Sequence, residues 1–191
     1  MKFITKRELK DLSISVLVLA LAFSSFNLQL LPLTLFIVIA AFASHEILGH
    51  KLVAQHFGCS AEYVAWPLGL FLAIITSFFG FIFAAPGAVM ISPVVRKRFA
   101  FSVAHLTDKE FGLIALAGPA VNIALGISFI IFLKFYPALE FLLWPAARIS
   151  LFLAIFNLFP ISPLDGQKVF SWSWKVWGAV FALAALSYAF L

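Results

Sequence analysis

Charged residues are scarce in this sequence. Asp, Glu, Lys and Arg make up 11% of the 191 residues, whereas hydrophobic residues make up 64%. An ordinary soluble domain carries about 25% charged residues. A chain with so little charge and a mean hydropathy of +1.10 cannot cover a water-soluble globule, which excludes that class. The sequence therefore predicts an integral membrane protein.

Cysteine is almost absent. The single Cys59 excludes an intrachain disulfide and a cysteine-rich zinc finger. The net charge is +5, but the basic residues flank apolar runs and do not alternate with aromatic residues on a surface patch. This arrangement is typical of membrane topology. We expect the lipid bilayer as the surroundings of the chain and no nucleic-acid partner.

Five apolar runs approach the length of about 20 residues needed to cross a bilayer. They are residues 12–26, 28–50, 111–133, 138–159 and 172–191. The stretch "MKFITKRELKDLS" places basic residues before the first run, and no convincing cleavage site follows it. The first helix is therefore expected to be retained, with a cytoplasmic N-terminus.

Residues 63–95 are apolar but fit two topologies. They could cross the membrane once with an appended strand, or form a hairpin that enters and leaves on one side and turns near "AAPG". A single crossing would put Arg96, Lys97 and Arg98 outside, against the positive-inside tendency. A re-entrant hairpin avoids this, and it implies a cavity because its backbone polar groups need partners.

The expected fold class is an all-α polytopic membrane protein with about five transmembrane helices and a re-entrant, membrane-embedded hairpin. No internal repeat or linker divides the sequence. We therefore expect a single integral membrane domain over residues 1–191, with multiple crossings. The sequence indicates no oligomeric state.

The stretch "ASHEILGHKLVAQHFG" carries ionisable residues inside an apolar run, and such residues are functional candidates by default. His45, Glu46 and His50 nearly form the zinc motif H-E-x-x-H, but the histidines are five apart instead of four. In a regular α-helix they would be about 140° apart. A π-bulge near Gly49 would return them to one face, and it is the preferred interpretation.

An undistorted helix offers another solution. Glu46 and His50 are four residues apart and could be the ligand pair, which would leave no obvious base. A catalytic zinc site also needs a third protein ligand. Asp165 in "NLFPISPLDGQKVF" is the best donor, because no other carboxylate lies between Glu140 and the C-terminus. Lys51 is expected at the aqueous edge.

Three ordered elements, "HEILGH", "AGPAVN" at residues 117–122 and "NLFPISPLDG" at residues 157–166, resemble the site-2 protease family of intramembrane metalloproteases. The resemblance covers a catalytic core of about residues 43–167. It implies zinc bound by His45, His50 and Asp165, with Glu46 as general base. His50 matches only through a one-residue insertion.

The resemblance also suggests that Asn122 and Asn157 contact substrate or line the cleft. The residues alone allow simpler roles: Asn122 could hydrogen-bond between helices, and Asn157 could brace the loop before Asp165.

The expected function is that of an intramembrane zinc metalloendopeptidase, which hydrolyses membrane-embedded protein substrates near the cytoplasmic face. The stretch "GAVMIS" is the candidate edge strand for an unwound substrate. One alternative is a non-peptidase relative that keeps the fold but has lost catalysis through the inserted residue. A transporter is a further alternative, although the ionisable residues gather at one membrane edge and no repeat halves are present.

Overall fold

A computed structural model describes residues 3–92, 94–97, 100–103 and 105–191. Most of this chain is helical. The α-helices are α1 (Lys6–Phe23), α2 (Leu31–Val38), α3 (Leu52–His56), α4 (Pro67–Ser77), α5 (Asp108–Phe135), α6 (Glu140–Asn157), α7 (Asp165–Trp172) and α8 (Trp174–Ala189). Two π-helical segments, Ile39–Ala43 and His45–Lys51, join α2 to α3, and a 3₁₀ turn, Pro137–Leu139, precedes α6.

Four strands accompany the helices: β1 (Ser60–Ala65), β2 (Gly87–Ser92), β3 (Val94–Lys97) and β4 (Ala100–Val103). They form two antiparallel pairs, β1 with β2 and β3 with β4. The expectation of an all-α fold is therefore wrong in this respect. The stretch "GAVMIS", expected as a strand, is β2. The other three strands were not predicted, and the partner of β2 lies more than 20 residues earlier, beyond an apolar stretch that looks helical in sequence.

Among the described residues, three helices are long and apolar enough to cross a membrane: Leu31–His56, Asp108–Phe135 and Pro137–Asn157. They overlap three of the five predicted runs. The first predicted run lies in α1, whose N-terminal turns carry five charged residues. The last lies in α8, which has 16 residues and is shorter than the usual crossing length of about 20. The total of five crossings stays a prediction.

Residues 66–86 leave the β1–β2 pair and return to it. Ala65 lies opposite Gly87 in the antiparallel register, so both ends of this segment are side by side. The outward part is α4, and an extended stretch leads back. This is the path that the hairpin prediction requires. Its position in the membrane stays a prediction.

The turn of this segment is not at "AAPG", as expected, but at residues 78–80. Gly80 supplies the left-handed backbone there, with φ of 76°. The Phe78 ring stacks on Phe26 with centroids 4.8 Å apart. Phe26 belongs to the connection between α1 and α2, so the segment runs along most of the length of α1.

Helix α1 covers the outer edge of β1. The Tyr63 N–H donates to Glu8 Oε1 and the Ala65 N–H donates to Asp11 Oδ2, both at 3.1 Å. Glu8 also accepts from Lys51 Nζ, at 2.6 Å for Oε1. Both members of this ion pair are buried. The expectation that Lys51 lies at the aqueous edge is thus wrong, because a buried carboxylate of α1 binds it.

Candidate metal centre

The helix Leu31–His56 changes from α to π geometry at the two motif histidines. The π segment is His45–Lys51, and a π-helix pairs residues five apart. His45 and His50 therefore project from the same face, with their Nε2 atoms 3.0 Å apart. The predicted π-bulge is confirmed. An undistorted helix, which the alternative with Glu46 and His50 as ligand pair assumed, is not found.

Asp165 is the first residue of α7 and points at the same place. Its Oδ2 lies 3.0 Å from His50 Nε2 and 3.6 Å from His45 Nε2. Its other oxygen, Oδ1, accepts a hydrogen bond from Lys168 Nζ at 3.3 Å. Burial alone would raise the pKa of the Asp165 carboxyl. While His45 and His50 carry the protons that a metal ion would replace, the charge of His50 and hydrogen bonds from both rings hold this pKa well below its usual range.

The three side chains fit a metal ion. Among the described residues, His45, His50 and Asp165 form the group that could hold one. The donor atoms are separated by 3.0, 3.0 and 3.6 Å. Ligands bound tetrahedrally at about 2.0–2.1 Å from zinc are about 3.3 Å from one another. Three atoms with lone pairs converge here, and a cation between them satisfies all three.

The second ring nitrogen of each histidine also has a partner, which sets the orientation of the ring. His50 Nδ1 donates to the Ile114 carbonyl at 2.8 Å, so its Nε2 carries the lone pair. His45 Nδ1 lies 3.0 Å from the side-chain amide of Asn122, whose Oδ1 has no hydrogen-bond partner within the described structure. Turning this amide over lets Oδ1 accept from His45 Nδ1, which leaves its Nε2 free for a metal.

Two glycines permit this close approach of α5 to the π segment. A Cβ on Gly49 would come within 2.6 Å of Gly118 Cα. A Cβ on Gly118 would collide with Nε2 of both histidines. Gly49, expected to supply a loose backbone for the bulge, is thus needed for packing. Gly118 belongs to the quoted "AGPAVN", although its contact with both rings was not predicted.

Glu46 lies beside the histidines and faces a cavity of about 390 Å³. Its Oε2 is buried and has no hydrogen-bond partner among the described residues. His50, Asp165 and Lys168 line the same cavity, and so do residues 87–91, which belong to β2. A carboxylate, the candidate metal group and a strand edge therefore share one space.

The two predicted cleft asparagines lie in different surroundings. Asn157 lines the cavity, and its Nδ2 donates to the Leu153 carbonyl of its own helix at 3.0 Å. Asn122 is completely buried, and its side-chain amide contacts Nδ1 of His45, the ring nitrogen that does not face Asp165. The sequence reasoning missed Lys168, although its spacing of three from Asp165 on a helix would have placed both on one face.

A protein of Methanocaldococcus jannaschii named "Putative zinc metalloprotease MJ0611" is 39% identical to this chain over 182 residues, which cover 92% of this chain and 90% of the relative. The chain belongs to this zinc metalloprotease family. Comparison with protein-family models gives no match, and neither does comparison with solved structures. The membership agrees with the His-His-Asp group and with the prediction of zinc.

Proposed function

We propose that the chain is an intramembrane zinc metalloendopeptidase of site-2 protease type, which hydrolyses membrane-embedded protein substrates near the cytoplasmic face. The observation that carries this proposal is the convergence of His45, His50 and Asp165 beside Glu46, whose buried Oε2 has no hydrogen-bond partner among residues that the structure describes. Two of the three ligands would come from an apolar helix long enough to span a membrane. The inserted residue does not separate the histidines, which weakens the case for a relative without catalysis.

His45, His50 and Asp165 would hold the zinc. When bound, zinc supplies a Lewis acid that polarises a peptide carbonyl and lowers the pKa of water. Glu46 would act as general base. It lines the cavity, and its Oε2, which has no hydrogen-bond partner in the described part of the chain, can take a proton from water and pass it to the leaving amine. Lys168 donates a hydrogen bond to Oδ1 of Asp165, and Oδ2 of the same carboxylate faces the histidines.

The second edge of β2 pairs with no strand among the described residues and is called the free edge. It is the proposed docking site for an unwound substrate segment. The Trp66 N–H donates to the Pro86 carbonyl, and the outward N–H groups of Tyr63 and Ala65 go to α1. Since hydrogen-bonded pairs alternate in an antiparallel ladder, residues 88, 90 and 92 face β1. Residues 87, 89 and 91 therefore present their backbone groups on the free edge, beside the cavity.

The proposal is tested with Glu46→Gln. The wild type and the variant, purified with zinc supplementation and reconstituted in liposomes, are assayed for zinc by elemental analysis and for cleavage of a transmembrane model peptide. We expect about one zinc per chain in both proteins, and loss of cleavage in the variant by at least about 100-fold. Glu140→Gln, at the start of α6, is the matched control and should cleave normally.

Asp165→Asn provides the metal control. A neutral amide replaces an anionic ligand, so this variant should lose most of its zinc. A wild type without zinc would overturn the metal site. Full cleavage by Glu46→Gln would remove the proposed general base, and zinc without cleavage by the wild type would favour the non-peptidase alternative.

A further inference from the structure

Arg148 is a charged residue in an otherwise apolar part of the chain. It is the only Asp, Glu, Lys or Arg between Glu140 and Asp165, and it lies in a helix long enough to cross a membrane. Within the described chain, no carboxylate forms an ion pair with it. An arginine at such a position is costly unless its charge is compensated.

Two aromatic side chains hold the guanidinium. Its Cζ lies 4.7 Å from the centroid of the Trp144 ring, one turn earlier on α6, and 5.0 Å from that of Tyr188 on α8. The Tyr188 hydroxyl accepts a hydrogen bond from Nη2 at 2.8 Å. Cation–π contacts from both rings fix the guanidinium plane. This clamp orders the group before any ligand binds.

The clamp lies toward the end of α6 that is far from the candidate metal centre. Asn157 is the last residue of α6, and Asp165 of the metal centre comes shortly after it. Trp144 is at the other end, in the second turn of α6. Helical side chains lean toward the helix N-terminus, and Arg148 does so, since its guanidinium reaches the level of Trp144. Trp and Tyr are also enriched at the level of lipid headgroups.

The guanidinium keeps donors that need an acceptor. It has five N–H groups, and the Tyr188 hydroxyl is the acceptor recorded for it. Trp144 is 39% exposed, so a ligand outside the protein can reach the clamp. Phosphate oxygens match the fork of a guanidinium and supply the negative charge that no described side-chain carboxylate gives it.

We propose that Arg148, clamped by Trp144 and Tyr188, binds the phosphate of a membrane phospholipid. The lipid would lie against the α6–α8 surface, with its phosphate on the guanidinium and its acyl chains along the exposed apolar side chains of α8. This site is separate from the cavity at Glu46. It would anchor the peripheral α8 to the bundle from the lipid side.

The test uses the full chain in a neutral detergent. Phosphatidylglycerol is added to the micelles, and the matching diacylglycerol without phosphate serves as the lipid control. Native mass spectrometry should find one tightly retained phosphatidylglycerol on the wild type, and its Tm should rise. Arg148→Gln should reduce retention about tenfold or more and remove most of the Tm shift.

Lys134→Gln is the matched charge control, because Lys134 lies in the last turn of α5, next in the chain to the start of α6. It should retain the lipid as the wild type does. Equal retention by Arg148→Gln, or an equal Tm shift from diacylglycerol or from inorganic phosphate alone, would overturn the proposal. If Arg148→Gln does not fold, the wild type decides: one retained phosphatidylglycerol supports the site, and none refutes it.

Discussion

Gly118 lies against the Nε2 atoms of both candidate zinc histidines, where a methyl group has no room. Gly118→Ala should push the two rings apart and lower zinc affinity about 10- to 100-fold, as changes beside metal ligands commonly do. Competition with a zinc chelator measures this affinity. Gly178→Ala is the control, since a Cβ at Gly178 meets nothing within 4 Å. Unchanged affinity in Gly118→Ala would show that the rings are not confined as described.

At the residue scale, the sequence predicted the side chains that converge and one of the groups that hold them, Asn122, whose hydrogen bond between helices goes to His45. His45, Glu46, His50 and Asp165 stand out because ionisable residues are rare in apolar helices. The Ile114 carbonyl that orients His50 could not be predicted, because every residue has a carbonyl and nothing in the sequence marks this one.

At the element scale, the five-residue spacing of the histidines predicts the outcome of a deletion. Removing Leu48 restores H-E-x-x-H. One regular α-helical turn would then place both histidines on the same face, as the π turn does in the wild type. Leu48 is 53% exposed, so little packing is lost. The variant should bind zinc within about tenfold of the wild-type affinity, as measured by elemental analysis and chelator competition.

Deleting Leu52 is the matched control. Leu52 is also exposed, at 40%, but it lies in regular α-helix. Its removal turns all later residues by about 100° and disrupts β1. This control should fail to fold. Loss of zinc from a folded Leu48 deletion would show that a shared helix face is not sufficient for zinc binding and that the π geometry itself is required.

The free edge of β2 gives a second prediction at this scale. Val89→Pro removes an N–H that faces the cavity and leaves the ladder to β1 intact, which an edge strand tolerates. The loss of one substrate hydrogen bond, about 0.5–1.5 kcal/mol, should lower kcat/KM roughly two- to tenfold. Zinc content should stay the same.

Met90→Pro is the counterpart, because its N–H belongs to the ladder with β1. It should destabilise the protein as well as lower activity. If Val89→Pro cleaves as fast as the wild type, substrate does not pair with this edge.

Other elements could not be predicted because their causes are distant in sequence. The first π segment, Ile39–Ala43, carries no pair of ligands whose spacing would reveal it. Glu8 and Asp11 looked like charges that precede a membrane helix, yet they bind a strand more than 50 residues later. The turn expected at "AAPG" forms at Gly80 instead, and the phenylalanines on both sides of Gly80 gave no indication of a turn.

At the scale of the whole molecule, charge predicts that the basic stretch at residues 96–98 lies on the same side as the N-terminus. In a Cys59→Ser background, Lys97→Cys should react with a membrane-impermeant thiol reagent only from the cytoplasmic side. Leu28→Cys, which is exposed in the connection that follows α1, should react only from the other side. Labelling of Lys97→Cys from outside would mean that residues 63–95 cross the membrane.

The cover that α1 places on one edge of the β1–β2 sheet also limits how copies of this protein can assemble. Chains of molecules joined through their sheets need two open edges on every copy. Here the carboxylates of Glu8 and Asp11 occupy the β1 edge. This sheet can therefore pair with one neighbouring molecule only, and no further copy can be added through it. The strand edge beside the cavity can therefore stay open to the proposed substrate without growth of fibres through that sheet.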